Sequence, residues 1–205
     1  LLALEDDEFA DTTFDVEGTF IKAHRAVLVV RSEYFRSMLK SGGRTAQPGA
    51  VIPIRGTSPA AFRKLLAFLY SDCPCPEDRT HAASPPCNPV ASQYPHKSAN
   101  ENLCSHACTA LELDDEVVID VMRKAREYDL SRAYNMCMQY CSQAAQSSNA
   151  ILWLLSADAF QLAELRAEML MYVKRNFRVI REEAPETLAA LRANPDVMLE
   201  VMDVL

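Results

Sequence analysis

The chain has 205 residues, 49% of them hydrophobic, and a formal net charge of -7. The hydrophobic fraction supports a packed core and excludes disorder throughout, and the acidic balance disfavours nucleic acid as a ligand, since phosphate binding needs a concentrated basic face. Because no apolar run approaches the ~20 residues of a membrane helix, no membrane association is predicted.

The N-terminus and the cysteines are informative about the origin of the chain and its compartment. Residues 1–9 are acidic and have neither Met nor the basic-then-apolar layout of a signal peptide, so we interpret the chain as an internal fragment of a longer protein. The seven cysteines include Cys137 and Cys141 on one predicted helix and do not form a disulfide framework. A reducing compartment, cytoplasmic or nuclear, is therefore predicted.

The first predicted elements are two short strands, over 12–16 and 19–23. The two residues between them, Glu17 and Gly18, are short enough for a tight hairpin. Helical spacing of apolar residues follows at once, and Ser32 is placed to cap a second short helix.

A third strand and a well-defined helix come next. Residues 51–54 predict a strand in which Pro53, which cannot donate a hydrogen bond, lies at an edge or an end. Ser58-Pro59 predicts a helix start, an N-cap followed by proline at the first helical position. From about 72 to 110 the pattern changes to Pro, Ser, Asn, Cys and His, which predicts a loop insertion.

Only helices are predicted after residue 111. Leu130-Ser131 is expected to end one helix and cap the next, so that the two pack as an antiparallel hairpin. Beyond Ala144 further helices follow, the last two started by Pro185 and by Asn194-Pro195. The order of elements predicts an α+β domain with a helical appendix.

The segment from Phe9 to Met38 resembles the opening of a BTB/POZ domain. It reads F-A-D-T-T-F-D-V-E-G-T-F-I-K-A-H-R-A-V-L-V-V-R-S-E-Y-F-R-S-M. The helix after Ser58 and the helix pair that contains Ala125 to Leu130 and Cys137 resemble the family's third helix and its closing pair.

This resemblance implies a domain organisation. Residues 8–143 would form the BTB/POZ fold, a small mixed sheet with helical hairpins, interrupted by the Cys/Pro/His-rich insertion at about 72–110. The helices over 144–205 are similar to the BACK-type extension of ubiquitin-ligase adaptors. The spacing in the BTB part is similar to that of members with ankyrin or RCC1-type repeats.

The resemblance also implies a function, that of a dimeric protein-interaction module. It would be the substrate-adaptor part of a cullin-3 ubiquitin ligase, with an unknown protein substrate, no cofactor and no catalysis of its own. The residues implied at the dimer interface are Asp11, Arg25, Val27, Leu28, Phe35 and Met38. The residues implied to approach cullin-3 are Leu69, Tyr70 and Tyr128.

One departure from the family keeps an alternative open. Family members that bind cullin-3 tightly often carry a hydrophobic-x-Glu element between the second helix and the third strand, and residues 41–49 contain none. The alternative is an oligomerisation or scaffold domain, or a transcription-regulator BTB domain, without cullin binding.

Metal binding and catalysis are the rival functions that the sequence could support. The alternative metal ligands are Cys73, Cys75, Cys104 and Cys108, as a zinc site. Structural zinc sites usually have two matched C-x2-4-C pairs, which these cysteines lack, so no metal is predicted. The chain contains no G-x-G-x-x-G, G-x-x-x-x-G-K or G-x-S-x-G pattern. His24, at a predicted helix start, is interpreted as a structural residue, and the protein is predicted not to be an enzyme.

Overall fold

The computed structural model describes residues 9–40, 49–71, 111 and 113–203. The chain divides into two compact units, an N-terminal unit up to residue 112 and a C-terminal unit from residue 113. The predicted insertion at about 72–110, with its four candidate zinc-ligating cysteines, lies outside the described residues.

The N-terminal unit is built on a small mixed sheet. The strand order is β2-β1-β3, with β1 antiparallel to β2 and parallel to β3. The three predicted strands and the α+β class are confirmed. The elements are β1 (Thr12–Val16), β2 (Thr19–Ala23), α1 (Arg25–Arg31), α2 (Glu33–Lys40), β3 (Val51–Ile54) and α3 (Pro59–Ser71).

The turn between β1 and β2 follows from two residues with positive φ. Glu17 has φ 51° and Gly18 has φ 81°, the pairing that a two-residue turn needs to match the twist of the strands it joins. The backbone N–H of Gly18 donates to Oδ1 of Asp15 at 2.9 Å. The predicted hairpin is therefore confirmed.

The core of the N-terminal unit is centred on three phenylalanines from different elements. Phe14 on β1 packs edge-on against Phe35 of α2, with ring centroids 5.8 Å apart, and against Phe62 of α3 at 5.1 Å. All three side chains are fully buried. Because strand residues alternate between faces, the neighbours of Phe14 on β1 point to the outer face of the sheet.

The predicted helix caps are present in the N-terminal unit. Oγ of Ser58 accepts the N–H of Ala61 at 3.2 Å at the start of α3, and Oγ of Ser32 accepts the N–H of Phe35 at 3.4 Å. Pro53 lies on β3, an edge strand of the described sheet, which agrees with its predicted edge position.

In the described part of the C-terminal unit, the regular elements are all helices. Helix α4 packs on α5, and α6 packs on α7, α8 and also α4. None of the described helices combines the length and the apolar composition that a membrane crossing needs. The helices are α4 (Val118–Glu127), α5 (Ser131–Ala144), α6 (Ala150–Ala159), α7 (Ala163–Glu183), α8 (Pro185–Arg192) and α9 (Pro195–Met202).

The division into units groups α4 and α5 with the later helices, whereas the sequence analysis placed them in the first domain. The domain boundary at 143/144 stays a prediction.

The break between α4 and α5 differs in detail from the prediction. Ser131 is the first residue of α5 rather than its cap, and the N-cap residue, Leu130, makes no side-chain capping bond. The chain turns instead at Asp129, which adopts φ 54°. Asp reaches this left-handed conformation more readily than most residues because its short side chain can hydrogen-bond locally.

An arginine connects three helices of the C-terminal unit. Arg166 on α7 donates to Oδ1 of Asp158 on α6 at 2.6 Å and makes a two-pronged bond to Glu200 on α9, at 3.2 and 2.5 Å. These bonds raise the pKa of the Arg166 guanidinium and lower the pKa of Glu200. Such a fork is the strongest ordinary geometry for an arginine–carboxylate pair.

Candidate functional site

Asp11, just before β1, and Arg25, the first residue of α1, meet at the start of α1, and both were implied at the dimer interface. The backbone N–H of Arg25 donates to Oδ1 of Asp11 at 2.6 Å. The Arg25 guanidinium donates to the carbonyl oxygen of Leu39, near the end of α2. The carboxylate thus holds the first turn of α1, and the arginine side chain fastens α2 to it.

Tyr70, at the end of α3, reaches the same place. Its hydroxyl accepts the backbone N–H of His24 at 2.7 Å and lies 2.8 Å from Nδ1 of that histidine. Burial raises the pKa of Tyr70, the N–H of His24 opposes the rise, and the Asp11 charge adds to it. We call Asp11, His24, Arg25 and Tyr70 the α1 cluster.

The α1 cluster brings together residues that the sequence analysis assigned to two surfaces. Asp11 and Arg25 were expected at a dimer interface and Tyr70 at a cullin surface. His24 was expected to be a structural residue, and its backbone N–H and its ring Nδ1 both contact the Tyr70 hydroxyl. Local sequence patterns could not reveal the cluster, because 46 residues separate His24 and Tyr70.

The implied dimer residues differ in accessibility. Leu28 and Phe35 are fully buried inside the N-terminal unit, so they support the helices from within. Val27 and Met38 are partly exposed. A partner that approaches α1 and α2 would therefore touch the latter two.

The most exposed apolar residue of α1 was missed by the sequence analysis. Val30 is 71% exposed, and it lies three residues after Val27, a spacing that places both on one side of a helix. Ala26 is exposed as well. This outward side of α1 is apolar, which is unusual for a face in contact with water.

The outer face of the sheet also carries exposed apolar side chains. Phe20 on β2 is 64% exposed and Val51 on β3 is 50% exposed. In the strand register Phe20 pairs with Asp15 and Val51 with Thr13, so both lie on the face opposite the phenylalanine core.

Two of the three implied cullin residues are buried. Leu69 is 2% exposed in the N-terminal unit and Tyr128 is 1% exposed in the C-terminal unit. The Lys124 ammonium lies 5.6 Å from the centre of the Tyr128 ring. Of the three, Tyr70 has the partly exposed side chain that a partner could touch directly.

Helix α6 presents a further apolar surface, which was not predicted from the sequence. Leu152 is 48% exposed and Phe160, just after the helix, is 40% exposed. The guanidinium carbon of Arg123 lies 4.4 Å from the centre of the Phe160 ring, a cation–π contact. The strong apolarity of the whole segment 150–155 in the sequence is the signal that could have found it.

Metal-binding chemistry finds no support in the part of the chain that the structure describes. There, no group of three or more His, Cys, Asp or Glu side chains could hold a metal ion. Cys137 and Cys141 are fully buried, and burial raises the pKa of both thiols, that of Cys141 to about 12. These thiols are therefore unreactive at neutral pH.

Comparison with known proteins gives one family match. A family model described as BTB/POZ domain matches residues 2–83. The chain is 27% identical to BTB/POZ domain-containing protein 9 of Mus musculus over 213 residues, covering 97% of this chain and 34% of the relative. It is 28% identical to BTB/POZ and MATH domain-containing protein 6 of Arabidopsis thaliana over 87% of this chain and 38% of that relative.

The chain thus spans about a third of the length of these relatives. Among solved structures, the BTB (Tramtrack and Bric a brac) domain of human Gigaxonin is similar at 17% identity, with a TM-score of 0.40, over 65% of this chain and 79% of that one. A structural likeness at that level carries no inference about this chain.

Proposed function

We propose that this chain is the dimeric adaptor part of a cullin-3 ubiquitin ligase, because a family model described as BTB/POZ domain, a protein-interaction module, matches residues 2–83. In this role the domain joins two copies of the chain, and the cullin binds each copy. The substrate is a protein held elsewhere in the polypeptide. The BTB/POZ match is the observation that carries the proposal.

The dimer surface proposed is the outward side of α1, with Val27 and Val30, together with Met38 of α2. Support comes from exposure: Val30 is 71% exposed on a helix whose opposite side is anchored by the fully buried Leu28. An obligate dimer interface of ~2,000 Å² or more is mostly apolar. The α1 cluster lies at the start of this helix and would hold it in position.

A charge at the centre of that surface tests the dimer. Val30→Asp should lower the molar mass by light scattering to that of one chain, because an unpaired carboxylate would be desolvated at the interface. Phe20→Asp is the matched control, because Phe20 is an exposed apolar residue on the outer face of the sheet. This variant should keep the molar mass of a dimer. An unchanged mass for Val30→Asp would remove α1 from the interface.

The cullin part of the proposal is tested by calorimetric titration with the N-terminal domain of cullin-3. Micromolar or tighter binding by a dimer supports the adaptor role. A dimer that does not bind favours the alternative, an oligomerisation or scaffold domain or a transcription-regulator BTB domain. The absence of a hydrophobic-x-Glu element in residues 41–49 is what favours that alternative.

A further inference from the structure

Two turns of the C-terminal unit have the same backbone conformation. Asp129, between α4 and α5, has φ 54°, and Gln161, between α6 and α7, has φ 55°. The residues before them, Tyr128 and Phe160, have φ/ψ of -93°/8° and -96°/6°. The residues after them are both leucines, Leu130 and Leu162, with φ/ψ of -99°/70° and -85°/78°.

The hydrogen bonds of the two turns also correspond. The N–H of Leu130 donates to the carbonyl of Ala125 at 2.8 Å, and the N–H of Leu162 donates to the carbonyl of Ala157 at 2.8 Å. This bond across the turn is the one that closes a helix end around a left-handed residue. Acceptor, donor and turning residue are offset by the same 32 positions in each case.

The helices on both sides of the turns keep this offset. Helix α6 begins 32 residues after α4, and α7 begins 32 residues after α5. Most buried positions coincide as well, although Tyr128 is 1% exposed and its counterpart Phe160 is 40% exposed. The coinciding buried pairs are Ile119/Ile151, Val121/Trp153, Met122/Leu154, Ala125/Ala157, Leu130/Leu162, Ala133/Leu165, Cys137/Met169 and Cys141/Val173.

The two helical hairpins lie side by side with their turns at the same end. Nη1 of Arg126, in the first hairpin, donates to the carbonyl of Gln161, the turning residue of the second, at 2.6 Å. A cavity of about 360 Å³ is lined by Ser131 and Tyr134 from the first hairpin and by Ala163 and Glu164 from the second. Equivalent ends are therefore adjacent, as they are in stacked repeats.

A partial third copy follows at the same 32-residue offset. Helix α9 begins at Pro195, 32 residues after Ala163, and its buried Val197 and Val201 take the places of Leu165 and Met169. The turn before it is different, because Ala193 has φ -71°. Only the second helix of this third pair follows the repeat closely.

We infer that residues 118–149 and 150–181 are two copies of one 32-residue unit, a helical hairpin with its connection, and that the C-terminal unit is a short stack of such repeats. The copies share their turns and most of their buried positions, and they differ in the residues that they expose. Asp120 and Glu127 in the first copy are replaced by Leu152 and Ala159 in the second. Packing is thus common to the copies, while the exposed side of each is specialised.

Removing one whole period tests the repeat. In a chain that lacks residues 131–162, Leu130 is joined to Ala163, so α4, the turn and α7 should form a hairpin with every core position in place. This variant should keep a helical circular-dichroism spectrum and a cooperative thermal transition. The control lacks residues 131–160, which turns α7 by about 200° and its apolar side outward, and should lose the transition.

Two results would overturn the inference. One is that the two deletion variants behave alike, whether both fold or both fail to fold. The other comes from hydrogen exchange on the intact chain, where the amides of Leu130 and Leu162 should both be protected by about 100-fold or more over the unfolded chain. An unprotected amide at either position would show that the two turns are not equivalent.

Discussion

The hydroxyl of Tyr70 has a structural role that can be separated from any role in binding. It accepts the backbone N–H of His24 at 2.7 Å, so Tyr70→Phe leaves that donor without its acceptor. We expect Tyr70→Phe to lower the free energy of unfolding by about 1–2 kcal/mol, measured by urea denaturation.

Tyr70→Phe and Tyr70→Ala together test the cullin surface. If the ring of Tyr70 contacts cullin-3, Tyr70→Ala should weaken binding by about 2 kcal/mol or more, while Tyr70→Phe should keep most of the affinity. Equal affinities for wild type and Tyr70→Ala would exclude Tyr70 from that contact. Leu69 and Tyr128 are poor choices for this test because substitution of a buried residue mainly destabilises its unit.

Tyr140 gives a prediction about pH. Its hydroxyl donates to Oδ1 of Asp115 at 2.7 Å, and this bond, followed by burial and the acidic neighbours, raises the pKa of Tyr140 to about 12. A pKa raised in the folded state favours the neutral form, so its stabilising contribution is complete below pH 10 and is lost as the pH rises towards 12.

Tyr140→Phe should therefore show a smaller loss of stability between pH 10 and 12 than the wild type, measured by urea denaturation at each pH. At neutral pH the same variant should be less stable, since it lacks the bond to Asp115. Parallel pH profiles for the two proteins would contradict the assignment. Because Tyr140 is partly exposed, we expect a modest effect.

At the scale of the elements, the two left-handed turns carry a cost that glycine would relieve. Asp129 and Gln161 have φ 54° and 55°, which L residues adopt at a penalty, whereas glycine adopts it freely. We expect Asp129→Gly and Gln161→Gly each to raise the free energy of unfolding by up to about 1 kcal/mol. Thermal denaturation would measure both.

The control for these turns is a glycine placed in a helix. Ala167 is an exposed residue within α7, and Ala167→Gly should cost about 1 kcal/mol because the helix loses propensity. If the turn glycines destabilise as much as Ala167→Gly does, the left-handed conformation is not the feature that determines their stability.

The helices and strands themselves were largely predictable from local signals. Glu17-Gly18 between two alternating runs specifies the hairpin, and Ser58-Pro59 specifies the start of α3. The turn at Asp129 was placed correctly but assigned to the wrong mechanism, capping by Ser131. The equivalent turn at Gln161 carries no turn residue at all, so local propensity could not reveal the repeat.

At the scale of the whole molecule, net charge acts on the proposed dimer. Each chain has a formal charge of -7, so two chains repel each other, and an apolar interface offers no ion pairs in return. Raising the salt concentration shortens the Debye length from ~10 Å at 0.1 M to ~3 Å at 1 M. The dimer dissociation constant should therefore fall a few-fold over this range in analytical ultracentrifugation.

The opposite dependence on salt would change the description of the interface. A dimer that weakens in salt would be held by ion pairs, and the exposed charges beside α1 would then replace Val27 and Val30 as the contact. The stability of each unit, measured under the same conditions, controls for unfolding by salt.

The sequence by itself determined the α+β class, the three strands, the order of the helices and the resemblance to a BTB/POZ domain, because these depend on spacing and capping within a few residues. Which predicted site residues are accessible was decided only by the tertiary structure. Leu28 and Val30 are both apolar residues of one short helix, yet one is fully buried and the other 71% exposed. Burial depends on which elements pack against that helix, and those contacts, like the one between His24 and Tyr70, join residues far apart in the chain.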